Sequence, residues 1–302
     1  MEASRASQPA IAGIAQGRTR QVIGDYVTLT KPKVQSLLLL TTITTMYVAG
    51  NPSLGLVALT CLGGALSAGG AGAVNHWFDR DIDALMRRTA DRPVPSGRIS
   101  PRAALSFGIV LSALSFALLS TTVNLLSATL ALLGFLGYVG IYTAWLKRTT
   151  PQNIVIGGAA GAVPPLVGWS AVTGSLDSTA LYLFAIVFYW TPPHFWALSL
   201  LMKDEYARVG VPMMPVVHGE DETRRQIVLY TVLLFVLTLL PVAFGFFGVI
   251  YAVVAGVLGC IFLVLALRLQ RRKDRRSALR AYLYSLAHLA LLFVAMVLDV
   301  RL

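Results

Sequence analysis

Nine long apolar runs dominate this chain, near residues 33–50, 54–78, 103–121, 124–146, 154–174, 178–202, 226–248, 249–269 and 279–298. Each is long enough to cross a hydrocarbon core of ~30 Å as a helix. The composition agrees: 56% of the 302 residues are hydrophobic, only 13% are charged, and the mean hydropathy of +0.70 exceeds what a soluble core requires. The expected class is therefore all-α, a polytopic membrane protein whose bundle of nine transmembrane helices surrounds a central chamber opening to the cytoplasm. The stretch from Gln226 to Leu269 is too long for one crossing, and Gly245, Phe247 and Gly248 mark the turn that divides it.

A net charge of +11 would suit nucleic-acid binding, but the placement of the cations argues against that partner. With nine crossings the loops alternate sides. Of the 25 lysines and arginines, all but Arg301 fall in the amino-terminal segment or in the loops after the second, fourth, sixth and eighth runs. Such a bias orients a membrane protein, with the lipid bilayer itself as partner. It puts the amino terminus and the four basic loops in the cytoplasm, most simply of a bacterial inner membrane. Residues 1–32 read as a disordered cytoplasmic tail without a signal-peptide core, a mitochondrial transit peptide being the alternative, and 33–302 as the membrane domain. Cys61 and Cys260 lie in apolar runs and read as small buried side chains.

Chemistry enters at the end of the second run, where Asn75, Asp79 and Asp83 stand four residues apart. On a helix that spacing puts an amide and two carboxylates on one face. At a membrane helix mouth they form a hard-oxygen pocket suited to Mg2+ carrying a phosphate. Arg88 and Arg92 follow in the next loop, where guanidinium groups match phosphate oxygens. Alternatively, these arginines only enforce topology and touch lipid headgroups.

The Asn-x-x-x-Asp-x-x-x-Asp pattern closing the second run, followed by Arg88-Thr89-x-x-Arg92-Pro93, resembles the first signature of the intramembrane prenyltransferase superfamily. Four further segments are similar to its haem-modifying branch, the protoheme IX farnesyltransferase (haem O synthase) family: Thr30–Val34, Thr150–Gly158, Thr191–Trp196 and Gly210–Val216. The likeness runs from about Asp25 to Leu298. It implies transfer of a farnesyl group from farnesyl diphosphate to a vinyl group of haem b, with haem O as product and Mg2+ as cofactor. A downstream haem A synthase or oxidase assembly proteins would be partners.

Carried over residue by residue, the resemblance makes Asn75, Asp79 and Asp83 the catalytic and metal-binding set, with Arg88, Arg92 and Lys33 on the diphosphate. The superfamily's second acidic signature falls at Lys203-Asp204-Glu205-Tyr206, where Asp204 is the candidate metal ligand. Tyr206 stands where an acid is usual, and Lys203 is placed to offset diphosphate charge. His194, inside an apolar run behind Pro192 and Pro193, reads as a haem propionate partner or iron ligand, against a neutral histidine bonded to backbone. Ring prenylation of a quinone precursor and transport of an anionic amphiphile are the competing activities.

Overall fold

The computed structural model describes residues 8–302, with side chains from Thr19 onward, so Arg5 and the start of the expected tail lie outside the described residues. Every described regular element is helical. In chain order these are α1 (Gln8–Leu29), α2 (Pro32–Ala49), α3 (Leu54–Phe78), α4 (Arg80–Leu85), α5 (Pro101–Thr122), α6 (Leu125–Thr149), α7 (Asn153–Thr173), α8 (Ser178–Leu201), α9 (Lys203–Arg208), α10 (Met214–Val217), α11 (Gly219–Ala243), α12 (Val249–Arg272) and α13 (Arg275–Arg301).

Seven of them, α3, α5, α6, α7, α11, α12 and α13, are long and apolar enough to cross a membrane. The protein is thus an all-α polytopic membrane protein. α2, with 18 residues, and α8, with 24, pack within the same bundle. Neighbouring helices close a circuit from α2 through α3, α5, α6, α7, α8, α11 and α12 to α13, which returns to α2.

Helix starts follow local chemistry. The side chains of Ser53, Ser100, Asn124, Asp177 and Asp274 accept from the backbone N–H three residues on, each a cap worth ~1 kcal/mol. Gly245, with φ of 73°, makes the turn between α11 and α12, where the sequence placed it. Small residues set the closest crossing: a Cβ on Gly108 of α5 would lie 2.8 Å from the Gly70 carbonyl oxygen of α3. With little hydrophobic drive between helices in lipid, such approach maximises dispersion contact.

Two expectations fail. Of the expected disordered tail, the described residues are ordered: α1 ends on the bundle, with Leu29 buried beside Ala73, Val94 and Ile99, and Arg98 Nε donates to both oxygens of Asp25 at 3.0 Å. Apolar packing and a two-point ion pair overcome its polar composition. Of the cysteines, Cys260 is exposed and Cys61 half-buried, because their positions in apolar runs fall partly on outward faces. Arg301, the single cation assigned to the far side, bonds Asn51 and the Tyr47 and Gly50 carbonyls, while Asp299 accepts from Gly248 and Tyr251 N–H. The end of α13 thereby ties the α2–α3 and α11–α12 connections together.

Candidate active site

The chain bends at Asp79 between α3 and α4, yet the amide of Asp79 still donates to Asn75 O at 2.9 Å and that of Asp83 to Asp79 O at 2.8 Å. The i, i+4 register therefore survives, and Asn75, Asp79 and Asp83 are all buried, at 3%, 1% and 3% exposure. Asn75 Nδ2 donates to Asp79 Oδ2 at 2.7 Å and to Thr143 Oγ1 at 3.1 Å, which fixes the amide so that Oδ1 is its free acceptor.

Four cations converge on this face. Lys31 Nζ donates to Asn75 Oδ1, Lys147 Nζ pairs with Asp79 Oδ2, and Arg92 Nη1 lies 2.6 Å from Asp83 Oδ2. Arg148 Nη2 stands 3.7 Å from Asp79 Oδ1 and binds Asp81 through both guanidinium nitrogens at 2.8 Å. The Arg148 hydrogen bond pulls the Asp81 carboxyl down to about 2. Burial, then the charges of Arg92 and Lys147, pull the Lys31 ammonium down to about 7, against the pull of Asp79 and Asp83.

Local structure explains how these groups arrive. Lys31 sits between α1 and α2 in the left-handed region, φ 54°, where Pro32 starts the next helix. Gly72 lets that junction approach, since a Cβ there would meet the Leu29 carbonyl oxygen at 2.8 Å. The loop after α4 folds back with Met86, Val94 and Ile99 buried, and Thr89 Oγ1 donates to Asp83 O at 3.0 Å, holding Arg92 over the acids. In α6, residues Gly137–Leu146 form a π-helix. Wide turns of this kind cluster at functional sites. This one brings Tyr138, Tyr142 and Thr143 to the cluster: the tyrosine rings lie 5.5 Å apart, and Lys31 Nζ is 5.9 Å from the Tyr138 ring.

Other predicted residues land differently. Lys33 is exposed, and the lysine that reaches this face is Lys31, two residues earlier, which bonds Asn75, because the helix start turns residue 33 outward. Arg88 is exposed, with its charge felt at the Tyr206 hydroxyl; burial nonetheless pushes the Tyr206 phenol up. Lys203 is engaged by Glu220 at 3.2 Å, which answers its charge within the protein. Asp204 is exposed on α9, whereas the adjacent Glu205 is half-buried with Oε2 enclosed and unpartnered. His194 is buried, its Nδ1 2.7 Å from Ser285 Oγ, its ring stacked on Trp190 and Tyr282 at 4.3 and 4.9 Å.

Sequence reasoning did not single out Lys31, Lys147, Arg148 and the tyrosine pair, which the structure brings to the Asn75, Asp79 and Asp83 face, nor the enclosed Glu205. Lys147 and Arg148 were read only as topological charge, although they end the fourth run directly across from the acids.

Among the described residues no three His, Cys, Asp or Glu side chains converge as a metal cluster. The donor set is mixed, an amide with carboxylates, and it fits a hard divalent cation. Asp79 Oδ1 is buried without a hydrogen bond, and Asn75 Oδ1 and Asp79 Oδ2 already attract ammonium groups.

Residues 38–294 match the model of the UbiA prenyltransferase family. The chain belongs to that family. Within it, the protoheme IX farnesyltransferase of Chloroflexus aurantiacus is 56% identical over 293 residues, covering 96% of this chain and 50% of that protein. The protoheme IX farnesyltransferase of Symbiobacterium thermophilum is 52% identical over 294 residues, 95% of this chain and 98% of its own length. This UbiA-family chain thus spans about half the length of several curated relatives, the Chloroflexus protein included, and nearly all of the Symbiobacterium one. A UbiA homolog from Archaeoglobus fulgidus, solved with DMAPP and Mg2+, shares the fold with a TM-score of 0.70 at 18% identity, over 90% of this chain and 99% of that one.

Proposed function

We propose that this protein transfers the farnesyl group of farnesyl diphosphate to a vinyl group of haem b, giving haem O. The observation that carries the reading is the buried Asn75, Asp79 and Asp83 face ringed by Lys31, Arg92, Lys147 and Arg148. Acids that demand a cation lie beside cations that demand an anion, which is the charge pattern of a metal diphosphate. The protoheme IX farnesyltransferases that align along the chain support haem as acceptor, and the DMAPP and Mg2+ of the Archaeoglobus homolog support the donor class.

Bound Mg2+ would supply the charge that weakens the allylic C–O bond. Asn75, Asp79 and Asp83 hold it, with Glu205 rather than Asp204 as the acid contributed by α9. Arg92, Lys31, Lys147 and Arg148, with Arg88 at the mouth, stabilise pyrophosphate as it leaves with the bonding electrons. Tyr138 and Tyr142 present ring faces beside the cluster and shield the farnesyl cation from water. The haem vinyl π electrons form the new C–C bond, and water adds to the resulting carbocation with loss of a proton, leaving a hydroxyethylfarnesyl group. Ser285 holds His194 Nδ1, so Nε2 is the atom left to meet the iron or a propionate.

In this reading α2 and α8 join the seven apolar helices as crossings, making nine around a chamber that opens to the cytoplasm. The amino terminus is cytoplasmic, in a bacterial inner membrane, and haem O passes to an enzyme or oxidase that consumes it. Pyrophosphate release by the purified protein tests the reading. Haem b should stimulate release from farnesyl diphosphate, whereas an aromatic acid acceptor should not. Stimulation by the aromatic acid alone would make this a ring prenyltransferase, and movement of substrate without release would make it a transporter.

A further inference from the structure

Two oxygens of this face are each held by a lysine from another part of the chain, while Asp79 Oδ1 accepts no hydrogen bond. Lys31 Nζ, from the α1–α2 junction, donates to Asn75 Oδ1. Lys147 Nζ, from the end of α6, pairs with Asp79 Oδ2, with side chains 13% and 1% exposed. An ammonium and Mg2+ on the same buried oxygen repel each other. The metal bonds oxygen at about 2.0–2.1 Å in near-ideal octahedral geometry, so the two cations would be pressed together with little solvent between them. Each lysine has a flexible four-carbon stem able to carry its charge elsewhere. Arg92 and Arg148 differ: Arg92 lies on Asp83, and Arg148 is anchored by Asp81.

We propose that Lys31 and Lys147 are internal competitors of the metal, occupying its oxygens until a metal diphosphate displaces them onto the diphosphate. This rests on the proposed reading of the acids as the metal site. It means that the protein discriminates against bare Mg2+ and accepts metal and diphosphate together. The consequence has opposite signs for two ligands: losing either lysine strengthens binding of the metal alone and weakens binding of the anion.

Mn2+ is the probe for the metal, followed by electron paramagnetic resonance, and inorganic pyrophosphate with Mn2+ is the probe for the anion. Lys31→Met and Lys147→Met, made separately in the full chain, should each bind Mn2+ alone roughly tenfold more tightly than the wild type, the equivalent of one charge-assisted hydrogen bond. Each should bind Mn2+ pyrophosphate more weakly. Either variant suffices if the other fails to fold. Asp79→Asn separates the two levels of the argument. If it binds Mn2+ pyrophosphate as the wild type does, or if none of the proteins binds Mn2+ pyrophosphate, the metal reading fails and takes the competition with it. If Asp79→Asn abolishes Mn2+ pyrophosphate binding while both lysine variants bind Mn2+ alone no more tightly than the wild type, the competition alone is refuted.

Discussion

Replacing Arg92 by methionine should weaken both the fold and the reaction, and a second substitution should repair only the first. Arg92 Nη1 lies 2.6 Å from Asp83 Oδ2, and the two side chains are 21% and 4% exposed. Methionine keeps most of the stem but strands the Asp83 carboxylate. Removing one partner of a buried pair costs about 3–5 kcal/mol, and the partial exposure of Arg92 places this case near 3 kcal/mol. At roughly 2–4 °C per kcal/mol for a chain of this size, the unfolding midpoint should fall by about 6–12 °C. Thermal unfolding followed by intrinsic fluorescence reads this directly. Adding Asp83→Asn removes the stranded charge, so the double variant should regain at least half of the lost midpoint. Its turnover should stay down by roughly 10²–10³, because a donor to the leaving pyrophosphate and a ligand to the metal are both missing. An Arg92→Met midpoint equal to the wild type, or a double variant no more stable than the single one, would refute the reasoning.

Three further substitutions probe separate parts of the account. Asp79→Asn should lower turnover by at least about 10²-fold while an absorbance titration shows haem still bound, and near-normal turnover would remove Asp79 from the metal site. Glu205→Gln should reduce kcat/KM for farnesyl diphosphate by roughly tenfold, with Asp204→Asn within about twofold of wild type; the reverse order would restore Asp204 as the α9 acid. Gly108→Ala puts a methyl 2.6 Å from Val74 Cγ2 and 2.8 Å from Gly70 O, so overpacking should destabilise the α3–α5 crossing by about 1–3 kcal/mol. Gly256→Ala, which meets open space, should cause no such loss of midpoint, and equal effects would mean that the crossing tolerates separation.

The fold class was legible because membrane helices announce themselves through length and composition. α2 and α8 show where composition blurs. α2 carries Lys33, Gln35 and several threonines, and α8 carries paired prolines and His194, so their role rests on packing rather than apolarity. Asn75, Asp79 and Asp83 were legible because their contacts are local, set by the four-residue period of one helix. Lys31 and Lys147 were not: they meet Asn75 and Asp79 from 44 and 68 residues away, a pairing that only tertiary packing creates. The exposure of Lys33 and Asp204, beside the engaged Lys31 and the enclosed Glu205 Oε2, has a related origin. Successive residues on a helix point about 100° apart, so a motif can place a segment without fixing which of its side chains faces the interior.

The central claim is that this buried acid and cation face serves farnesylation of haem. The most direct test incubates the purified protein with haem b, farnesyl diphosphate and Mg2+, and analyses the extracted haem by chromatography and mass spectrometry beside an EDTA control. The account predicts a haem heavier by the elements of farnesol, formed with Mg2+ and lost with EDTA. Recovery of unmodified haem b from protein that binds haem and Mg2+ would contradict it.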